Sequence, residues 1–379
     1  MTQFTITELS NGNNYYTFPQ ISGSKVVWNS SIGKANKILL YNGQKTTEVN
    51  TNVGRTSFPL ISGDNVVWSG FDFNSNQQIF IDNGQETIQL TDKKDNSRTG
   101  LSQVSGNNVV WASNPGNVGY DNSDIYLYNG KEIIQLTDDD VYDSSPQVSG
   151  DSVAWSSGTI ASDTNIYLYD GKEIIQLTDD DEFDALPKIS GNNVIWQSGV
   201  YEKKIYLYDG QKTIQLTDNK SLNTSHQISG NNVVWQRIDS SGSEIYFYNG
   251  EKVIRLTNNN MSEDSPQISG SNVVWSGTFG ENEEELQYNS EIFLYDGKET
   301  IQLTNNDVSD LYPTIDGNKV VWQRFNLSDG TISVMLATIN DIESASNSTR
   351  DRHQQFITSS TIIILSLISL CWLKSIFRK

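Results

Sequence analysis

Two runs of three aspartates are the densest chemistry in this 379-residue chain. Asp138, Asp139 and Asp140 form one, and Asp179, Asp180 and Asp181 form the other. Carboxylates are hard oxygen ligands that suit Ca²⁺, so these six are the candidate metal ligands. No EF-hand spacing accompanies them. The plainer alternative is a set of solvated turn residues that hydrogen-bond their own backbone. No other cofactor is indicated.

A second set has a fixed offset. Asp143, Asp184, Glu263 and Asp310 each stand three residues before a proline. Asn223 takes that place before His226, which replaces the proline. Acidic groups repeated in this way suggest binding residues around the mouth of a channel. Capping of the turn into an inner strand is the structural alternative.

Catalysis has little support. The chain has two histidines, His226 and His353, and His226 reads as a surface residue. The G-x-S-x-G nucleophile elbow is absent. A pair of carboxylates could cleave a glycoside, but nothing singles out a pair among 46 acidic residues. A non-catalytic protein is expected, with an enzyme acting on a surface polysaccharide as the alternative.

The elements that must position these groups are read from a repeat. A tryptophan preceded by apolar residues recurs at Trp28, Trp68, Trp111, Trp155, Trp196, Trp235, Trp275 and Trp322. A period near 40 residues decides architecture before any single residue does. Each unit holds four short runs rich in Val, Ile, Tyr and Trp, and none has a helical apolar period. Four strands per unit match one blade of a β-propeller. Asn-Gly or Asp-Gly, as at Asp170-Gly171, joins the third and fourth strands, and the spacing predicts a two-residue turn with positive φ at both positions. Ser-Gly, as at Ser149-Gly150, joins the first and second.

The last unit, from Pro313, has only three strand runs. The segment from Thr5 to Ser10 aligns with the missing fourth. The N-terminal strand is therefore expected to complete the last blade and remove the open sheet edge. The expected fold is all-β: an eight-bladed propeller of four-stranded blades over 1–340, plus a C-terminal hydrophobic helix.

Units of the form P-x-I-S-G-x-x-V-V-W, I-Y-L-Y-D-G and I-x-Q-L-T resemble TolB-type propeller repeats and those of archaeal and bacterial cell-surface propellers. The resemblance covers nearly all of 1–340 and implies the fold. Propellers host unrelated functions, so it does not imply an activity. The turn differs from the TolB-type Ser-Pro-Asp-Gly; here it is Ser-Gly followed by Asn or Asp.

Strand alternation puts both hairpin turns of each blade on one face of the ring. The variable loops 112–124, 158–164 and 277–290 and the blade-to-blade loops fall on the other. A protein or glycan partner is expected there, with Tyr120, Tyr201 and Tyr288 as candidate stacking residues. The formal charge is −20, and 1–346 carries 21 basic against 45 acidic residues. A surface of that sign repels nucleic acid, which is excluded as a partner.

Residues 341–356 read as a polar spacer and 374–379 as a short basic end expected in the cytoplasm. Between them, 357–373 contains no charge in 17 residues. As a helix it would span about 25 Å against a hydrocarbon core of about 30 Å, a marginal length for a transmembrane or membrane-anchor helix. The basic end predicts an extracytoplasmic propeller. No basic-then-apolar leader is legible near Met1, so either the start lies upstream or the propeller is a tail-anchored scaffold facing the cytoplasm. Display at the cell surface is the preferred expectation. Cys371 is the only cysteine.

Overall fold

The computed structural model describes residues 3–10, 17–32, 35–51, 55–56, 59–71, 77–91, 102–114, 122–159, 163–218, 221–240, 242–279, 289–326 and 328–340. The spacer, the uncharged run and the basic end lie outside the described residues, as do Tyr120 and Tyr288. Among the described residues, no helix is long and apolar enough to cross a membrane.

The described strands form eight antiparallel blades. Blade 4 shows the pattern, with strands Tyr142–Ser149, Ser152–Thr159, Asp163–Tyr169 and Ile174–Gln176 side by side in chain order. Blades 1, 2 and 3 have inner strands Gln20–Ser22, Leu60–Ser62 and Gln103–Ser105. In blades 5, 6 and 7 the inner strands are Asp184–Ser190, Leu222–Ser229 and Ser262–Ser269. Blade 8 takes Ser309–Asp316, Lys319–Asn326 and Thr331–Ile339 from the end of the chain and Phe4–Glu8 from its start. Phe4 pairs with Ile339 and Glu8 with Met335, so the N-terminal strand closes the last blade as the repeat requires.

A second closure runs around the inner strands. The serine of each Ser-Gly turn accepts a hydrogen bond from the glycine N–H of the next blade. Gly63 thus donates to Ser22, Gly106 to Ser62, Gly150 to Ser105 and Gly191 to Ser149. Gly230 donates to Ser190, Gly270 to Ser229 and Gly317 to Ser269. In blade 8 the serine is replaced by Asp316, whose carboxylate accepts from Gly23 and completes the circle. Glycine is needed at these turns because its φ is positive, +56° at Gly150 for example.

The core lies between blades. All eight repeat tryptophans are buried. In six blades the ring stacks on the aromatic directly across on the third strand, as Trp155 does on Tyr167 at 5.8 Å between centroids. Leu39 and Met335 take that place in blades 1 and 8. Trp196 of blade 5 packs against Ala154, Ile166 and Leu168 of blade 4, so each blade covers the next. Apolar side chains of this size supply most of the stabilisation.

Two sequence expectations change. In the Asn-Gly and Asp-Gly turns only the glycine has positive φ, such as Gly130 at +86°. The preceding side chain supplies the rest: Asn129 Oδ1 accepts from the N–H of both Lys131 and Glu132. The inner strands of blades 4 to 8 also begin earlier than their proline, or than His226 in blade 6. In blade 4, Ser145 and Pro146 together face Trp155, because pairing jumps from Ser144–Ser156 to Gln147–Ala154. This is a β-bulge, and Ser145 adopts φ +54°. The same bulge occurs at Leu186, Ser225, Ser265 and Tyr312.

Candidate functional site

The bulge decides where the repeated acidic position goes. Asp143 and Gln147 are four residues apart, and an unbroken strand would place them on one face. One extra residue between them puts them on opposite faces. Asp143 pairs with Ser157, two residues from Trp155, whose ring packs on Ile125 and Leu127 of blade 3. Asp143 therefore turns toward blade 3. Asp143, Glu263 and Asp310 are 0% exposed, and Asp184 and Asn223 are 1% exposed. This corrects the expectation of binding residues around a channel mouth: these side chains are closed inside seams between blades and cannot reach an outside partner.

Among the described residues, the seams from blade 3 onward share recurring parts. The third strand of one blade meets the start of the next inner strand through a parallel bridge, as at Ser123–Tyr142, Thr164–Phe183 and Ser243–Ser262. A threonine after the outer strand caps the third strand, Thr137 Oγ accepting from Ile125 N–H and Thr178 Oγ from Ile166 N–H. Two residues on, Asp139, Asp180, Asn259 and Asn306 accept from the N–H two residues ahead. The blade-to-blade loop is thus a turn stabilised by its own side chain, the alternative reading of the aspartate runs.

The seams differ in how charge is balanced. Between blades 7 and 8, Arg324 forks onto buried Asp310, which also accepts from Trp322 Nε1 and Asn306 Nδ2. Between blades 6 and 7, Arg255 and Thr257 satisfy Glu244, while Asn259 donates to one oxygen of Glu263. The longer Glu263 fits because Gly277 stands opposite; a Cβ there would lie 2.8 Å from Glu263 Oε2. Burial pushes the Glu263 carboxyl up to about 7. Between blades 5 and 6 the acidic residue is replaced by neutral Asn223, which donates to the carbonyls of Lys203 and Ser221.

Two seams lack such partners. Burial raises Asp184, between blades 4 and 5, to about 6, and neither carboxylate oxygen has a hydrogen bond of ordinary geometry. The hydroxyls of Ser198 and Thr178 lie near and oppose the shift. Asp143, between blades 3 and 4, is likewise raised to about 6 by burial; neither oxygen has a hydrogen bond of ordinary geometry, and the nearby hydroxyls of Ser157 and Thr137 oppose the shift. Asp124 joins Asp143 in that seam and is also raised by burial. Oxygens of Asp124, Asp139 and Asp143 lie within 4.8 Å of one another.

Of the six sequence candidates for metal, all are exposed, and Asp139 alone joins this convergent group. Its companions are Asp124 and Asp143, not its neighbours Asp138 and Asp140. Asp124 went unread in the sequence, although the residue before the third-strand isoleucine is polar in seven units: Lys37, Gln78, Asp124, Asn165, Lys204, Glu244 and Glu291. His226 is also corrected. It is 1% exposed, its Nε2 lies 2.8 Å from the Leu186 carbonyl, and burial holds its pKa down to about 4. Lys188, equally unread, is buried with Nζ donating to Gln147 Oε1, and burial lowers it to about 8. Tyr201 is 91% exposed beside Val200 at 55%.

Four-stranded blades, closure by the first strand and a ring of inner turns are the features of a β-propeller. No protein-family model and no curated protein sequence matches the chain. Solved structures show the same fold. The β-propeller domain of the Trilobed protease from Pyrococcus furiosus is 14% identical, with a TM-score of 0.54 over 79% of this chain and 98% of that one. A prolyl endopeptidase is 13% identical, with a TM-score of 0.55 over 85% of this chain; the match spans 53% of that enzyme. TolB from Acinetobacter baumannii is also a neighbour, 14% identical over 83% of this chain and 79% of that one, with a TM-score of 0.40.

Proposed function

We propose that this propeller is a non-catalytic binding protein that meets a protein or glycan partner through the face carrying the blade-to-blade loops. One observation carries the reading. Val200 and Tyr201 project into solvent from a tight turn held by Gly199, whose N–H donates to the Phe183 carbonyl at 2.9 Å. Exposed acidic residues Asp181, Glu182 and Glu202 surround that turn in the sequence, and Glu182 lies beside Gly199. An exposed aromatic among carboxylates suits a partner that offers a basic group and an apolar or sugar surface. The opposite face carries the short hairpin turns, with Gly130 packed beside Asn107 and Gly171 beside Asp151.

The uncharged run 357–373 supports attachment to a membrane, and the basic residues after it support a propeller outside the cytoplasm. A photo-crosslinking residue placed at 201 in the full chain tests the face, with Lys131 on the turn face as control. A discrete adduct from 201 alone is expected. No adduct, or equal adducts from both sites, overturns the reading. Protease treatment of intact cells tests the location: a protected propeller rules out surface display.

A further inference from the structure

We propose that Asp124, Asp139 and Asp143 bind one Ca²⁺ ion that bridges blades 3 and 4. This does not rest on the partner-binding reading. The three residues come from the third strand of blade 3, the connecting loop and the inner strand of blade 4, so a shared ion would tie the two blades at their seam.

The geometry fits one ion. The three oxygens lie within 4.8 Å of one another. Ca²⁺ holds oxygens at about 2.3–2.6 Å, so oxygens on opposite sides of it are about 5 Å apart. Mg²⁺ demands near-ideal octahedral geometry and usually keeps several waters, so a cluster of three carboxylates suits it less. Asp139 is exposed, so water can complete the shell from the rim.

The burial points to a missing cation independently of the clustering. Asp143 is 0% exposed and Asp124 is 4% exposed. Neither oxygen of Asp143 nor Oδ1 of Asp124 has a hydrogen bond of ordinary geometry; the hydroxyls of Ser157 and Thr137 lie near Asp143, and Thr137 and the Asp139 N–H lie near Asp124. The other Asp124 oxygen has a 3.3 Å contact from Gln135 Nε2. Among the described residues, no ion pair reaches any of the three. A buried carboxylate without a counter-charge is costly, and nearby hydroxyls only partly offset that cost.

The protein contains its own control. In the seam between blades 7 and 8, Arg324 stands opposite Asp310 and neutralises it. In the seam between blades 3 and 4 the residue opposite Asp143 is Ser157, which brings no charge. The place taken by a guanidinium in one seam is left to small hydroxyl groups in the other, while the carboxylate count rises. A divalent ion would supply the missing positive charge, two units of it against three carboxylates.

The experiment uses the full chain, stripped with chelator and titrated with CaCl₂ by calorimetry and by thermal melting. One bound ion and a higher melting temperature at ~1 mM Ca²⁺ are expected, within the range of weak extracellular Ca²⁺ sites. Asp143→Asn should weaken binding by roughly 10-fold or more and lose the thermal response. In chelator the same variant should melt no lower than wild type, because it removes a buried charge. Ser157→Arg should copy the other seam, abolishing the Ca²⁺ response. If Asp143→Asn does not fold, Asp139→Asn, on the exposed loop, takes its place. Absence of binding and of a melting shift in wild type, or unchanged binding in both Asp→Asn variants, overturns the proposal.

Discussion

Arg324 and Asp310 face each other in register on the first two strands of blade 8, joined by two bonds of 2.8 Å from Nε and Nη2. The carboxylate is fully buried, whereas the guanidinium side chain keeps 27% exposure. Cutting Arg324 to Met leaves an uncompensated charge inside the seam. A loss of ~2–4 kcal/mol is expected, the lower end reflecting water access on the arginine side. Urea midpoints measure it. The double variant Arg324→Met, Asp310→Asn should recover much of the loss, since it removes the buried charge and its amide oxygen can still accept from Trp322 Nε1.

Glu263 sets a pH dependence. Its ordinary value of 4.5 is raised to about 7 in the folded chain by burial. Between those values the folded state holds a proton that the unfolded state has released. Stability therefore falls as pH rises from about 4.5 to about 7, and levels off above. Glu263→Gln should remove this contribution and raise stability at pH 8 by on the order of 2 kcal/mol, with little change at pH 4. Denaturant curves at both pH values, variant against wild type, check the sign.

The closing pairing offers a lock. Thr5 stands directly across from Thr338. Thr5→Cys with Thr338→Cys, in a Cys371→Ser background, should form a disulfide spanning nearly the whole propeller. Stabilisation of a few kcal/mol is expected when oxidised and should vanish on reduction. Melting with and without reductant gives the comparison; no crosslink on a non-reducing gel would contradict the pairing.

Two glycines separate backbone strain from collision. Gly106 has φ +58° and nothing within 4 Å of the place a Cβ would take, so Gly106→Ala should cost only about 1 kcal/mol. At Gly158 a Cβ would lie 2.6 Å from Thr164 Cα, a backbone atom that cannot yield without opening the hairpin. Gly158→Ala should cost at least about 3 kcal/mol. Chemical denaturation of the pair tests the ranking.

The strand order and the closure by Phe4–Glu8 were legible because tryptophan spacing, turn dipeptides and a three-strand last unit are local signals. The acidic position was legible as a repeat but not in its direction. The reason is the bulge at Ser145 and its equivalents, one additional residue that reverses the face of everything before the proline. No residue type announces it, since Ser, Leu and Tyr all occupy the left-handed position. The group of Asp124, Asp139 and Asp143 was half-visible for a related reason: its members belong to two blades and the loop between them, and only Asp139 and Asp143 are near neighbours in the sequence. His226 looked exposed because its isolation in the sequence hid the neighbouring strand that carries Leu186.

The strand Thr331–Ile339 lies between Phe4–Glu8 on one side and Lys319–Asn326 on the other, antiparallel to both. A pull on the chain beyond Ile339 would load two ladders of hydrogen bonds along their length at once. Such an arrangement yields by sliding many bonds together, whereas an edge hairpin peels one bond at a time. Tension arriving from the C-terminal side is therefore met first by a strand held along both of its edges, one of them by the start of the chain.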